Sequence, residues 1–217
     1  MPTPKRVKYP RTPHLPWSPG RTGDDILLNS IQHLEKLKDA VVTEKLDGEN
    51  TTLYRDYLHA RSIDSASHAS RNWLKRFHAA MSYKIPADMR ICGENLFAKH
   101  SIFYNALTSY FYVFAIFQNA ACLAWDETVE WCQRLELEPV PVLYRGKWDE
   151  QKIRACWRNV SCFGEEQEGY VVRNAASFSY ADFKYNVAKY VRASHVRTAK
   201  NWKRGSIVSN QLAKVKT

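Results

Sequence analysis

The chain of 217 residues is 45% hydrophobic, enough for one sizeable folded domain, and carries a net charge of +10. No run approaches the roughly 20 apolar residues of a membrane span, and the start M-P-T-P-K-R-V-K-Y-P lacks an apolar signal core, so a soluble, cytoplasmic protein is expected. The five cysteines (Cys92, Cys122, Cys132, Cys156, Cys162) never form C-x-x-C, which argues for reduced, partly buried thiols and against a disulfide framework or zinc knuckle.

The charge lies at the ends. Residues 1–21 hold Lys5, Arg6, Lys8, Arg11 and Arg21 with no acid, and Pro10, Pro13, Pro16 and Pro19 exclude a helix or a central strand there. A basic, extended segment packed on the domain is expected. Residues 22–192 follow as a single domain with a near-neutral balance, and 193–217 form a basic tail containing Arg197, Lys200, Lys203, Arg204, Lys214 and Lys216. Trp17 and Trp202 among these charges favour ordered, phosphate-contacting surfaces over solvated tails.

Within the domain, Leu27, Ile31 and Leu34 recur at helical spacing and predict an amphipathic helix over residues 24–37. A hairpin is expected next: residues 40–45 extended, a turn at Asp47-Gly48, and residues 51–55 extended, with a short strand near L-H-A-R-S. A second helix covers residues 70–81. Residues 90–97 and the run Y-F-Y-V-F-A-I-F read as central strands, the latter buried on both faces. Helices near residues 126–135 and 149–157, the second ended by Asn159, precede strands at 168–173 and 186–192. This mixture of hairpin-linked strands and helices favours α+β over a doubly wound parallel sheet.

Taken alone, K-L-D-G marks a turn, and a lysine before it is usually a solvated strand-end residue. Four further motifs follow in order: Gly93-Glu94-Asn95-Leu96-Phe97, Tyr112-Val113-Phe114-Ala115-Ile116, Glu168-Gly169-Tyr170-Val171-Val172-Arg173 and Lys189-Tyr190-Val191-Arg192. With these, the chain resembles the covalent nucleotidyltransferases, the superfamily of ATP-dependent DNA ligases, RNA ligases and capping enzymes. K-x-D-G-x-N is most similar to the RNA ligase 2 branch.

The resemblance implies an adenylation domain, of the ATP-grasp-like ligase kind, with antiparallel sheets flanked by helices. It implies that Lys45 attacks ATP to become lysyl-AMP, which requires a neutral amine and hence a lowered pKa. Glu44 would read the adenine amino edge or face solvent. Phe114 would stack on adenine, with Tyr112 and Ile116 as fallbacks on the same strand face. Glu94 would bind the ribose, Arg61 would stand near ribose and nucleic acid, and Lys189 would contact the α-phosphate. Glu168 would work with Mg2+ or Mn2+. Asn50 would serve the nucleic-acid steps, and Asp47 a structural role in the turn.

One departure concerns the last motif. The position two residues after Lys189 is Val191, where the family commonly has a second lysine, so Arg192 or Lys184 would have to supply that charge out of register. Only 25 residues follow Arg192, which leads to the expectation of a minimal ligase whose basic ends hold the nucleic acid. Arg192, Lys200, Lys203 and Arg204 would contribute to that surface, with Arg71, Lys75 and Arg76 as an extension. The implied activity is adenylylation of a 5′-phosphate and its joining to a 3′-hydroxyl by a monomer. RNA is the implied partner, as a nicked duplex, RNA ends or an RNA/DNA hybrid. A nick-sealing DNA ligase and a non-catalytic RNA-binding module are the alternatives. Arg11, His14 and Trp17 would either close over the nucleotide or grip the nucleic acid.

Overall fold

The computed structural model describes residues 6–64, 66–193 and 207–214. Its first half contains α1 (Gln32–Glu35), β1 (Ala40–Lys45), β2 (Glu49–Leu53), β3 (Leu58–Ala60), α2 (Asn72–Met81), β4 (Met89–Asn95) and β5 (Phe111–Gln118). Then follow β6 (Ala121–Cys122), α3 (Trp125–Leu135), β7 (Glu138–Pro139), β8 (Val142–Gly146), α4 (Glu150–Arg154), β9 (Gly169–Asn174), β10 (Phe178–Ser179), α5 (Phe183–Asn186) and β11 (Val187–Val191).

Two sheets carry the fold. One has the order β11-β9-β1-β8, and the other β10-β6-β5-β4-β2-β3, with β7 added in parallel beside β5. The remaining pairings within both sheets are antiparallel. The α+β reading with antiparallel sheets and flanking helices therefore holds. The Asp-Gly hairpin does not: β1 belongs to the first sheet and β2 to the second. The K-L-D-G stretch is a crossover between sheets.

Leu74, His78 and Met81 recur every three or four residues on α2 and are buried, which is the spacing that lays one helical face on a sheet. Leu74 and Met81 join Leu53, Ile116 and Leu135 in a core between the second sheet and α2 and α3. A second core, with Val41, Leu96, Tyr104, Tyr112 and Trp125, joins the two sheets. Leu15, Leu34, Val42, Ile153 and Tyr170 form a third under the N-terminal segment, α1 and α4. Each fully buried leucine contributes roughly 1.5–3 kcal/mol.

The long helix expected over 24–37 shrinks to the single turn of α1. Asp25 is already used as a local acceptor for the Thr22 N–H and hydroxyl, and residues 26–28 run extended beside His14, with His14 N–H to Ile26 O at 2.7 Å and Leu28 N–H to His14 O at 2.9 Å. The helix near 149–157 is likewise shorter, and Asn159 takes a left-handed φ of 62° after it. Strand β8, unassigned from the sequence, covers the outer edge of β1. Among the described residues no helix is long and apolar enough to cross a membrane. Four of the cysteine thiols are buried and Cys162 is exposed.

Candidate active site

Lys45 ends β1 opposite Gly169 of β9, which in turn faces Val191 of β11. A Cβ on Gly169 would lie 1.9 Å from Tyr190 O, so only glycine lets the strands meet here. The close approach puts Glu168, one residue earlier, beside the lysine. Lys45 Nζ donates to Glu168 Oε2 at 2.6 Å, and the carboxylate is 2% exposed.

After Lys45 the crossover is held by its own polar groups. Asp47 Oδ2 accepts from Ser101 N–H at 2.8 Å, the Ser101 hydroxyl at 2.5 Å and Ile102 N–H at 2.9 Å, while Asp47 N–H donates to Tyr104 Oη at 2.8 Å. A Cβ on Gly48 would meet Asn95 O at 2.5 Å, so this glycine serves a close approach to β4. Its N–H donates to Glu94 Oε1 at 3.2 Å. Asn50 pairs with Glu94 across β2 and β4, and Asn50 Oδ1 is buried with no hydrogen-bond partner.

These groups open into a cleft of about 450 Å³ between the sheets, lined also by Glu44, Arg61, Phe114 and Lys189. Glu44 is 2% exposed, which removes the solvent-facing alternative. Its Oε2 accepts from Cys162 N–H at 2.9 Å, and its Oε1 is buried without a partner, as an acceptor for a ligand's amino group would be. Arg61 follows β3, its side chain is exposed, and its N–H donates to Asn50 O at 2.9 Å.

Phe114 is the half-buried residue of an otherwise buried run, in edge-to-face contact with Tyr9 at 4.9 Å. The two fallback stackers do not share its position. The register shifts between Cys92 and Gly93, where Cys92 pairs with Ala115 and Gly93 with Val113, leaving Phe114 as the extra residue of a bulge. Ile116 is thereby turned into the core beneath α2, and Tyr112 is 1% exposed with its hydroxyl bonded to Thr108.

Electrostatics correct one expectation. Burial pushes the Lys45 ammonium toward neutrality, but Glu168, Glu94 and Asp47 outweigh it, so the pKa is raised above the ordinary lysine value and not lowered. Lys189 is the amine whose pKa falls, through burial first and then repulsion from Lys45. Burial, opposed by Lys45 and reinforced by Glu168, lifts the Glu94 carboxyl to about 8.

Among the described residues no group of three or more His, Cys, Asp or Glu is arranged to hold a metal. A Mg2+-like ion that also binds substrate phosphates needs only one or two protein carboxylates, and buried Glu168 at the cleft fits that donor set.

Several expected nucleic-acid contacts are engaged elsewhere. Arg192 is paired with Glu166, and Arg71 makes a bidentate pair with Glu49 at 2.5 and 2.6 Å. Neither Arg192 nor Lys184 lines the cleft. Lys75 and Arg76 are exposed on α2, whereas Lys200, Lys203 and Arg204, with Trp202, lie outside the described residues. Sequence reasoning missed Tyr9 and Asp25, because neither sits in a motif. Asp25 Oδ1 stands 3.6 Å from Lys189 Nζ and 3.4 Å from His14 Nε2.

The family model described as RNA ligase matches residues 38–191, most of the chain. No curated protein matches the chain. Among solved structures it is similar to Naegleria gruberi RNA ligase with pyrophosphate, at 20% identity and a TM-score of 0.53, over 78% of this chain and 54% of that one. A variant of that enzyme with ATP and Mn gives 19%, 0.56, 78% and 54%. An Aquifex aeolicus protein provisionally described as an ATP-dependent DNA ligase gives 20%, 0.54, 87% and 50%. The chain spans about half the length of these solved chains, and at such identities the likeness establishes the fold.

Proposed function

From the premise that this chain belongs to the RNA ligase family, we propose that it is an ATP-dependent ligase that forms lysyl-AMP at Lys45, adenylylates a 5′-phosphate end of RNA and joins it to a 3′-hydroxyl with release of AMP. The observation that carries the proposal is the cleft itself, where one lysine amine meets two carboxylates, a partnerless Glu44 oxygen and a half-exposed aromatic ring.

In this reading residues 22–192 are the adenylation domain, Phe114 supports the adenine ring, and Glu44 Oε1 accepts from its amino group. Glu94 stands at the ribose. With a pKa of about 8 it is largely protonated near neutrality and can donate to a hydroxyl as well as accept. Lys189 faces the α-phosphate, and Glu168 with the phosphates would hold Mg2+ or Mn2+, whose charge draws electron density from the phosphoryl group. Separating Lys45 from Glu168 leaves burial as the leading influence on the amine, and burial favours the neutral, nucleophilic form. Asn50 Oδ1 would address the nucleic acid in the later steps. The net charge of +10 suits a polyanionic partner. The reading takes a monomer in the cytoplasm acting on nicked duplexes or RNA ends.

The test is the intact mass after incubation with a divalent cation and either ATP or GTP. A gain of one AMP with ATP alone, lost in Lys45→Ala, is expected; an unchanged mass in every condition would instead support a binding module without catalysis. Nicked duplexes that differ only in a 3′-terminal ribose then test the RNA assignment, since the 2′-hydroxyl distinguishes the two substrates. Equal sealing of all-DNA nicks would transfer the activity to DNA.

A further inference from the structure

A second, smaller cavity of about 140 Å³ adjoins the nucleotide cleft and shares Thr12, Arg61 and Lys189 with it. Its remaining lining comes from the N-terminal segment and the loop beside it, notably Arg11, Asp24 and Asp25. Resting on the lysyl-AMP reading, we propose that Arg11 and Arg61, next to Lys189 at the α-phosphate, form a polyphosphate subsite for the β- and γ-phosphates of ATP and the departing pyrophosphate. Arg11 lies outside residues 38–191, which the family describes.

The position of Arg11 is fixed by backbone pairing. Lys189 N–H donates to Pro13 O at 2.9 Å and Leu15 N–H to Lys189 O at 2.8 Å, so the segment lies along the free edge of β11. On its other side His14 is bonded to Ile26 and Leu28. Arg11 Nη1 donates to Asp24 O at 3.0 Å, which turns the guanidinium into the cavity. Farther along, Gly20 packs so closely on Val191 Cγ1 that a Cβ would meet it at 2.9 Å. The segment thus covers Val191 and contributes a cation beside Lys189.

Charge bookkeeping favours an anion here. Arg71 is committed to Glu49, Arg173 to Leu123 O and Arg192 to Glu166, whereas neither Arg11 nor Arg61 forms an ion pair among the described residues. Asp24 and Asp25 also line the cavity. Asp25 forms an ion pair with Lys189, but at 3.6 Å this is longer than a hydrogen bond, and the same carboxylate already accepts from Thr22 N–H at 2.9 Å and its hydroxyl at 3.0 Å. Lys189 can turn to a phosphate without stripping Asp25 of its partners.

The chemistry needs such a subsite. As Lys45 Nζ bonds to the α-phosphorus, the bond from that phosphorus to the α–β bridging oxygen breaks, and the oxygen keeps the electron pair. The surplus proton on nitrogen passes to solvent. The charge that develops on the leaving pyrophosphate is stabilised by fixed cations, among which planar guanidinium groups suit phosphate oxygens.

Two measurements on the full chain decide the matter. In calorimetric titration with inorganic pyrophosphate, Arg11→Ala is expected to bind about tenfold more weakly than the parent, the loss of one charge-assisted hydrogen bond. The exposed Arg11 side chain makes one hydrogen bond, to a backbone carbonyl, so unchanged melting is expected to accompany the loss. In the second, lysyl-AMP protein is reversed to ATP by pyrophosphate, and the defect of Arg11→Ala should exceed any defect in joining a pre-adenylylated RNA end by about tenfold, with Arg11→Lys in between. Equal pyrophosphate affinity of variant and parent overturns the subsite, as does a joining defect as large as the reversal defect. If no lysyl-AMP forms at all, the ligase reading fails while the titration still decides the subsite.

Discussion

Lys45 Nζ and Glu168 Oε2 stand 2.6 Å apart, an amine at the end of β1 and a carboxylate one residue before the adjacent β9. The pair keeps the amine in its ammonium form although the cleft desolvates it. Adenylylation should therefore accelerate as pH rises, because only the neutral amine attacks. In Glu168→Gln the largest of the charges that raise the Lys45 pKa is gone while burial still lowers it, so the rising limb of the rate profile should move to lower pH, even if the rate itself falls. Single-turnover adduct formation, followed by mass from about pH 6 to about pH 9.5, gives the answer. Superimposable profiles would contradict the role assigned to the pair.

Glu94 carries a stability signature of the opposite kind to most carboxylates. Its folded value of about 8 lies above the ordinary 4.5, so between those values the unfolded chain releases a proton that the folded protein keeps. The contribution to stability is full below the unfolded value and is lost as pH rises through the folded one. Glu94→Gln, an isostere of the protonated acid, should match the parent near pH 5 but exceed it by about 1–2 kcal/mol near pH 8, less than the whole shift implies because the side chain is partly solvated. Urea unfolding at the two pH values would show it, and equal differences at both would contradict it.

The legible part of this site was the order of its polar motifs. Lys45, Glu94, Phe114, Lys189 and Glu168 come from five strands or their ends, and it is the resemblance of their ordered motifs to the covalent nucleotidyltransferases that implied a role for each. What could not be read was which sheet each strand enters. Asp47-Gly48 signals a bend, and a bend into a hairpin and a bend into another sheet use the same residues. The face assignment of Ile116 failed because one bulged residue changes the alternation beyond it, a matter of backbone register that carries no side-chain signal, whereas Tyr112, before the bulge, packs in the same core as Phe114 but is buried. The helix over 24–37 failed because Leu27 is drawn into pairing with His14, a tertiary contact stronger than local periodicity.

Phe114 offers a test of the proposed adenine pocket that leaves the lysine untouched. Its ring is held edge-to-face by Tyr9 at 4.9 Å and lines the cleft. Truncation in Phe114→Ala should raise the KM for ATP by about tenfold, the size of one base–aromatic stacking contact of 1–3 kcal/mol, with a smaller change in kcat. A larger loss in kcat than in KM would place the ring's contribution elsewhere.

The crossover loop is braced from a distance. Residues 207–214 return to the domain, and Asn210 is 1% exposed among the loops that follow β4. Its Oδ1 accepts from Tyr104 N–H at 2.9 Å and its Nδ2 donates to Leu96 O at 2.7 Å, while the Tyr104 hydroxyl accepts from Asp47 N–H. Asn210 thus fixes the tyrosine that fixes the segment just after Lys45. In Asn210→Ala two buried backbone groups lose their partners, at about 1–3 kcal/mol each, and a chain of this size should melt roughly 5 °C or more lower. Asn210→Asp preserves the acceptor for Tyr104 N–H while losing the donor to Leu96 O, so if Asn210 works through Tyr104 it should adenylylate faster than the alanine variant at a temperature where both are folded. Equal rates for the two variants would mean that Asn210 supports the fold without positioning Lys45.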